Sequence, residues 1–600
     1  MRGIAALVCA IFVAGTVSVR AGERSQEQYL LDVPTVSAAL ADASRLNEES
    51  HYAGTPGDAH IAQWMRDQLA ADGFEATLEP FLSDVPYLKS AKLSAMTKPR
   101  VDFDLRETPI TQDPDGSRKG SGIPFNAWSG GTAFASAVDA GHGLEADYQA
   151  LAHRNIDVRT RIVLVRYGGE FRGLLARRAL DHGAAGVIFF SDPNDRDGSA
   201  RGPAYPDGPY RPLGAVQRGS VSTPKLLIPT LPVTATVAER IIGLMHDGVT
   251  PMPLRLTVNE TVKHTTLWNT VGMLQGADPT HVVVVGAHRD AWVYGVTDNG
   301  AGVTTLLEAA RALGYVYRSG WRPRFSIVFV GFDGEEIGEV GSQAYVRMHE
   351  GTLRNGCIAY INEDENATGQ RFGATAAAAL ENVIPSAAQA VRDPREERQT
   401  IFTRWQHQPG GVSISGPGGG SDFESFLYDL GIPMIELGFH GVFGTYHSAF
   451  DDLKYATTQA DPGFVNHRAL AQMVALLTMR LSGGAVPYQL SAYAPRMQAA
   501  LAKLPASGGE DLTSLKSAIA RFGARAAAAD HRGIDGNQEI TIARRLDALF
   551  YGRNGYAAVS FPDLSKALDA GGEAGVSAAI GRTVHELDDI SAAIAKAQRR

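Results

Sequence analysis

Three features of the 600-residue sequence predict an α/β fold with a mostly parallel sheet covered by helices on both faces. From Leu267 to about Gly484, strand-like segments (WNTVGMLQG, RFSIVFVGF, CIAYIN, GIPMIEL) alternate with helix-like ones, the pattern of βα units. HVVVV, His281 to Val285, is short, apolar and β-branched and is bounded by Gly286, so it reads as a buried parallel strand more readily than as a helix. Polar residues follow at once: His288, Asp290 and Asp298, then Asn299-Gly300-Ala301-Gly302 opening the helical segment VTTLLEAARAL. Acids and imidazole therefore sit at the carboxyl end of a strand, where open α/β sheets place ligands.

At the N-terminus, residues 1–22 combine Arg2, an apolar core from Ile4 to Val19 and the small-residue site Val19-Arg20-Ala21, the pattern of a secretory signal peptide. The alternative is an uncleaved anchor, although the core is short for a bilayer span. No other stretch is long and apolar enough to cross a membrane, so cleavage leaves no membrane span, and the expected location is exported, periplasmic or secreted, with bacterial composition. Of the two cysteines, Cys9 leaves with the signal, so the mature chain has no disulfide. Cys357 opens an apolar strand and reads as a buried structural thiol. A net charge of -9 with 44% hydrophobic and 20% charged residues is ordinary globular composition and lacks the basic stripe of a nucleic-acid binder.

The length calls for about two to four domains. Residues 26–86 read as helix, loop, helix, strand, and belong with 265–485 as one discontinuous α/β domain. Residues 87–264 are richer in Pro and Gly, with short strands such as RIVLVRY and GVIFFSD, and read as a smaller inserted domain. The tail 486–600 is Ala-rich and helical in pattern, suited to packing on the same chain or on a partner.

Four strand ends or adjoining loops in the α/β domain deliver His288 and Asp298, Glu335 and Glu336 (GFDGEEIG), Asp364 (YINEDEN) and His447 (TYHSAFDD). Each alone reads equally well as a hydrogen-bonded turn. Together, two imidazoles and several carboxylates suit a pair of zinc ions with one carboxylate bridging, and adjacent Glu335 and Glu336 permit one to bind metal while the other acts as general base.

HRDAWVYGVTD, GWRPRFSIVF, FDGEEIGEVGS, AYINED, GGSDFESF and YHSAFDD, in this order, resemble the metallopeptidase family that contains glutamate carboxypeptidase II, zinc aminopeptidases and the non-catalytic transferrin receptor; YGGEFRG, GVIFFSDP and YPDG extend the resemblance into the insertion. It implies a zinc-exopeptidase-type sheet, an inserted protease-associated domain, a C-terminal helical dimerisation domain and hence a homodimer. It implies that His288 and Asp364 hold one Zn2+, Glu336 and His447 the other, with Asp298 bridging, Glu335 as base, Asp290 orienting His288, and a cis Asp298-Asn299 bond. Arg172, Tyr446, Tyr556 and Ser421 are the implied substrate contacts, the first three toward a free C-terminal carboxylate. Tyr446 equally suits the oxyanion or a packing role.

The departures concern specificity. Gly555 replaces a lysine that would meet a glutamate side chain, and Glu436 and Gly438 stand near where arginines would receive an acidic residue. The expected activity is a carboxypeptidase on peptides not specific for glutamate. Two alternatives stand: an aminopeptidase with Glu365 or Glu436 holding the substrate ammonium, and a receptor-like protein without catalysis. Glu436 either meets substrate or faces solvent.

Overall fold

The computed structural model describes residues 25–118, 121–193, 202–221, 226–245, 251–486, 488–504 and 512–598; the expected signal segment lies outside them. Two long strands, β1 (Glu75–Ala95) and β2 (Pro253–Leu274), pair antiparallel along their lengths, from Glu75 opposite Met273 to Ala95 opposite Leu254. They are followed in sequence by β3 (Asp278–His288), β4 (Phe325–Phe332), β5 (Cys357–Asn362) and β6 (Met434–His440). β3 lies parallel to β4 on one side and to β5 on the other, and β6 is parallel to β5. β2 closes one flank antiparallel to β4, and Arg371–Ala376 closes the other antiparallel to β6.

Val282 to Val285 are buried without alternation, as are all residues of β4 and β5, so both sheet faces are covered. Each such side chain contributes about 1.5–3 kcal/mol on burial. Helix α1 (Gly300–Arg318) follows β3 and packs against the long helix Val465–Gly483; both are buried along most of their length. The C-terminal helices Thr513–Arg532, Gly536–Phe550 and Glu573–Ala597 share one continuous apolar core with the sheet. The tail therefore packs on its own chain.

Pro86 and Thr265 mark no break in the chain. β1 runs through Pro86 and β2 through Thr265, so the α/β domain and the smaller lobe share a single ribbon. A composition shift does not reveal this, because a strand can run on through a change in the residues around it. The far half of β2 pairs with Gly131–Asp139, and Ile162–Arg166, Gly186–Phe190 and Thr230–Pro232 add in parallel. Two apolar clusters lie on this second sheet, one built around Ile162, Leu164, Ile188 and Leu254, the other around Val163, Val165, Leu175 and Phe189.

One buried cation anchors the turn that ends β3. Arg289 lies 3.0 Å from Asp58 and 2.9 Å from Asp333, and donates to the Trp268 carbonyl at 2.7 Å. It ties the helix Pro56–Ala71, β2 and the end of β4 to the residue beside His288. Arg289→Met would leave two carboxylates buried and unpaired, with an expected loss of about 3–5 kcal/mol in the unfolding free energy read by chemical denaturation.

Candidate metal centre and active-site cleft

The carboxyl ends of β3, β4 and β5 and the loop after β6 converge. His288 is the last residue of β3; Glu335 and Glu336 lie just past β4, Asp364 just past β5, and His447 beyond β6. The His288 Nε2 lies 3.4 Å from Asp298 and 3.3 Å from Asp364; the His447 Nε2 lies 3.0 Å from Asp298 and 3.2 Å from Glu336. Two triads result, His288–Asp298–Asp364 and Asp298–Glu336–His447, each with ligand atoms within 4.8 Å of one another and with Asp298 common to both. Asp298 precedes α1 across a cis bond to Asn299, whose side chain caps the helix by accepting from the Gly302 N–H at 3.0 Å. The positive end of the helix dipole faces this concentration of acids.

The surroundings fix how each group points. The Nδ1 of His288 donates to the backbone carbonyl of Asp290 at 3.0 Å, and that of His447 to the carbonyl of Arg218 at 3.1 Å. A carbonyl only accepts, so each Nε2 keeps its lone pair toward the centre, as a metal ligand requires. Asp290 therefore orients His288 through its backbone: its carboxylate lies 3.8 Å from the ring and instead receives the N–H groups of Glu335 at 3.0 Å and Glu336 at 3.3 Å. Ser421 is also placed differently from the expectation. It donates to Asp364 at 2.5 Å and receives from Asn362 at 3.0 Å, so it supports a candidate ligand from behind.

Residues that the sequence reading passed over complete the support. Trp292 donates to Glu336 at 2.5 Å, and Asp451 accepts the N–H groups of Thr297 and Asp298, each at 2.9 Å. From the lobe, buried Arg218 pairs with Glu107 at 2.9 Å and donates to the His447 carbonyl, while Glu107 also receives the Ala449 N–H at 3.0 Å. Trp292 and Asp451 stand inside quoted motifs and were legible by proximity; Glu107 and Arg218 carry no local signal.

The donor set fits divalent zinc. It offers two bare imidazole nitrogens and carboxylates, and Glu336 Oε1 and Asp364 Oδ1 are buried without a hydrogen-bond partner. Although burial opposes it, the imidazoles of His288 and His447 beside Asp298 hold it well below the usual carboxylate range. Burial, opposed by His288 and reinforced by Glu336 and Asp364, pushes Glu335 well above it.

Beside this centre opens a cleft. Arg172, Tyr446, Tyr556, Glu335 and Glu365 line it. Arg172 is buried, donates to the Tyr556 hydroxyl and to the Ser220 carbonyl, each at 2.9 Å, and has no ion-pair partner among the described residues. Tyr446 stacks on His447 with ring centroids 3.7 Å apart. Glu436 takes no part in the cleft lining. It is part-buried and accepts from Asn362 at 2.8 Å, behind Ser421.

An α/β sheet that gathers two imidazoles and a shared carboxylate at its carboxyl edge, beside an open cleft, has the make-up of a metallopeptidase. Comparison with known proteins gives the family. A model described as peptidase family M28 matches residues 269–469, and one for the PA domain matches residues 131–223. A probable glutamate carboxypeptidase, VP8 of Zea mays, is 30% identical over 505 residues, 78% of this chain and 70% of that protein. The aminopeptidase NAALADL1 of Rattus norvegicus is 30% identical over 602 residues, covering 84% of this chain and 80% of its own. Among solved structures, an M28 peptidase precursor from Shewanella amazonensis aligns with a TM-score of 0.55 at 19% identity, over 77% of this chain and 97% of that one. A zinc aminopeptidase from Bacillus subtilis aligns at 0.52 and 18%, over 76% and 98%. This chain belongs to the M28 peptidase family, as a zinc metallopeptidase of the glutamate carboxypeptidase II type.

Replacing Asp451 with Ala frees the backbone that presents Asp298. Metal affinity is expected to fall about 10–100-fold, read by competition with a chelator, with far-UV circular dichroism retained.

Proposed function

We propose that the protein is an exported di-zinc exopeptidase that removes residues from the C-termini of peptides. His288 and Asp364 would hold one ion, Glu336 and His447 the other, with Asp298 between them. The zinc ions supply Lewis acidity, polarising the scissile carbonyl and easing loss of a proton from water.

The chain's own groups do the rest. Glu335 lies at the edge of the His288 triad, 3.9 Å from the imidazole, and its carboxylate takes the proton from the attacking water and returns it to the leaving nitrogen. Arg172 and Tyr556 receive the free carboxylate. Tyr446, stacked on His447, donates either to that carboxylate or to the carbonyl under attack.

The observation that carries the reading is the buried, unpaired Arg172. An isolated buried cation is costly, and a substrate carboxylate is the partner it lacks. Its planar fork suits that partner geometrically. A second reading draws on Glu365, which lines the same cleft and could hold a substrate ammonium, making the enzyme an aminopeptidase. Export rests on the signal-like residues 1–22, and a homodimer through the C-terminal helices rests on family resemblance. Among the described residues no helix is long and apolar enough to cross a membrane.

Matched dipeptides decide between the readings. N-acetylated dipeptides with a free C-terminus are expected to be cleaved and C-amidated ones not, with Arg172→Met lowering kcat/KM for the former; the opposite selectivity would install the aminopeptidase reading. Elemental analysis is expected to find two zinc ions per chain in both the wild type and Glu335→Gln. The variant should lose about 10²–10⁴-fold in kcat.

A further inference from the structure

Besides Arg172 and its tyrosines, the cleft is lined by a second set of groups: Gly338, Glu339, Gly420, Glu424, Arg553 and Gly555. Glu424 is fully engaged. It pairs with Arg553 and accepts the Gly420 N–H at 2.5 Å. Glu339 is not: it precedes helix Val340–Met348 without capping it, and no hydrogen bond or ion pair among the described residues engages its carboxylate. Its φ of 58° is left-handed, a conformation that costs a non-glycine residue about 1–2 kcal/mol and leaves the side chain free of the helix end. The Arg553 guanidinium acts on both carboxylates but is paired to Glu424, so Glu339 has no ion-pair partner of its own among the described residues.

The arm also has room. Gly338, Gly420 and Gly555 contribute no side chains. A Cβ at Gly555, whose φ is 57°, would come within 2.9 Å of the Phe171 side chain, so no larger residue at this hairpin turn reaches the cleft without displacing that ring. The long side chain expected from the family at this position is absent, and an acidic group entering here would meet Glu339 and an arginine already paired.

We infer that this arm receives a positively charged side chain, lysine or arginine, on the residue released from the C-terminus, and that Glu339 is the specificity-determining contact. The inference rests on the carboxypeptidase reading and names its substrate class. Burial pushes the Glu339 carboxyl up to about 7, opposed by Arg553 and reinforced by Asp364. A bound ammonium or guanidinium would supply the counter-charge that the fold leaves out.

The test is a series of N-acetyl-Ala-X peptides, X being Lys, Arg, Leu or Glu, on the zinc-loaded full chain and on Glu339→Gln and Glu339→Lys. The wild type is expected to favour Lys and Arg over Leu by about tenfold in kcat/KM, with Glu lowest. Glu339→Gln should shrink the Lys-to-Leu ratio by about tenfold, and Glu339→Lys should move the preference toward Glu. As a readout independent of turnover and of the variants, free lysine should raise the Tm of the wild type more than free glutamate does. A wild type that favours Glu, a Lys-to-Leu ratio indifferent to Glu339→Gln, or equal protection by lysine and glutamate each overturns the inference while leaving C-terminal cleavage intact. Cleavage of C-amidated peptides alone overturns the carboxypeptidase reading and this inference together.

Discussion

The structure turns on a concentration of like charge. Asp298, Glu335, Glu336 and Asp364 crowd around two imidazoles at the end of a buried sheet, where low dielectric magnifies repulsion. Such a cluster holds together only if positive charge is supplied from several directions. The N-terminus of α1 provides one source, and Arg289, locked between Asp58 and Asp333 one residue from His288, cancels part of the surrounding acidity. The unpartnered oxygens of Glu336 and Asp364 mark where a cation would complete the balance.

Precision in the centre comes from backbone more than from side chains. Carbonyls fix both imidazoles, and the carboxylates of Asp290 and Asp451 each grip two successive amides. Backbone groups cannot change rotamer, so this wiring holds ligand atoms more firmly than a chain of flexible side chains would. Arg218 and Glu107 extend it from the lobe to His447.

The parallel sheet, the residues at its carboxyl edge and the likeness to zinc exopeptidases were legible in the sequence because each strand end carries its polar residues within a few positions. His288, Glu336 and Asp364 lie next to apolar runs that announce themselves. The two-lobed ribbon was not legible, since a change in composition along the chain does not tell whether a strand ends there or runs on. Ser421, Asp290 and Glu436 lie close to the centre, but which atoms they engage was not legible, because a motif gives position in the chain and not the direction of a side chain. Glu339 stood inside GEEIGEVG and drew no notice: its importance lies in having no partner, and a missing partner is visible only in three dimensions.

The shared ribbon makes the lobe a structural part of the metal site and not an attachment to it. One pair of strands runs through both lobes, and Arg218 and Glu107 of the smaller lobe hold the loop bearing His447. Cutting the chain at either lobe boundary would sever one of these two adjoining strands, and removing the lobe would take away the contacts of Arg218 and Glu107 to the loop bearing His447. Insertion in the linear order of the chain has here become mutual dependence in space, so the two parts stand or fall together under proteolysis, truncation or domain exchange.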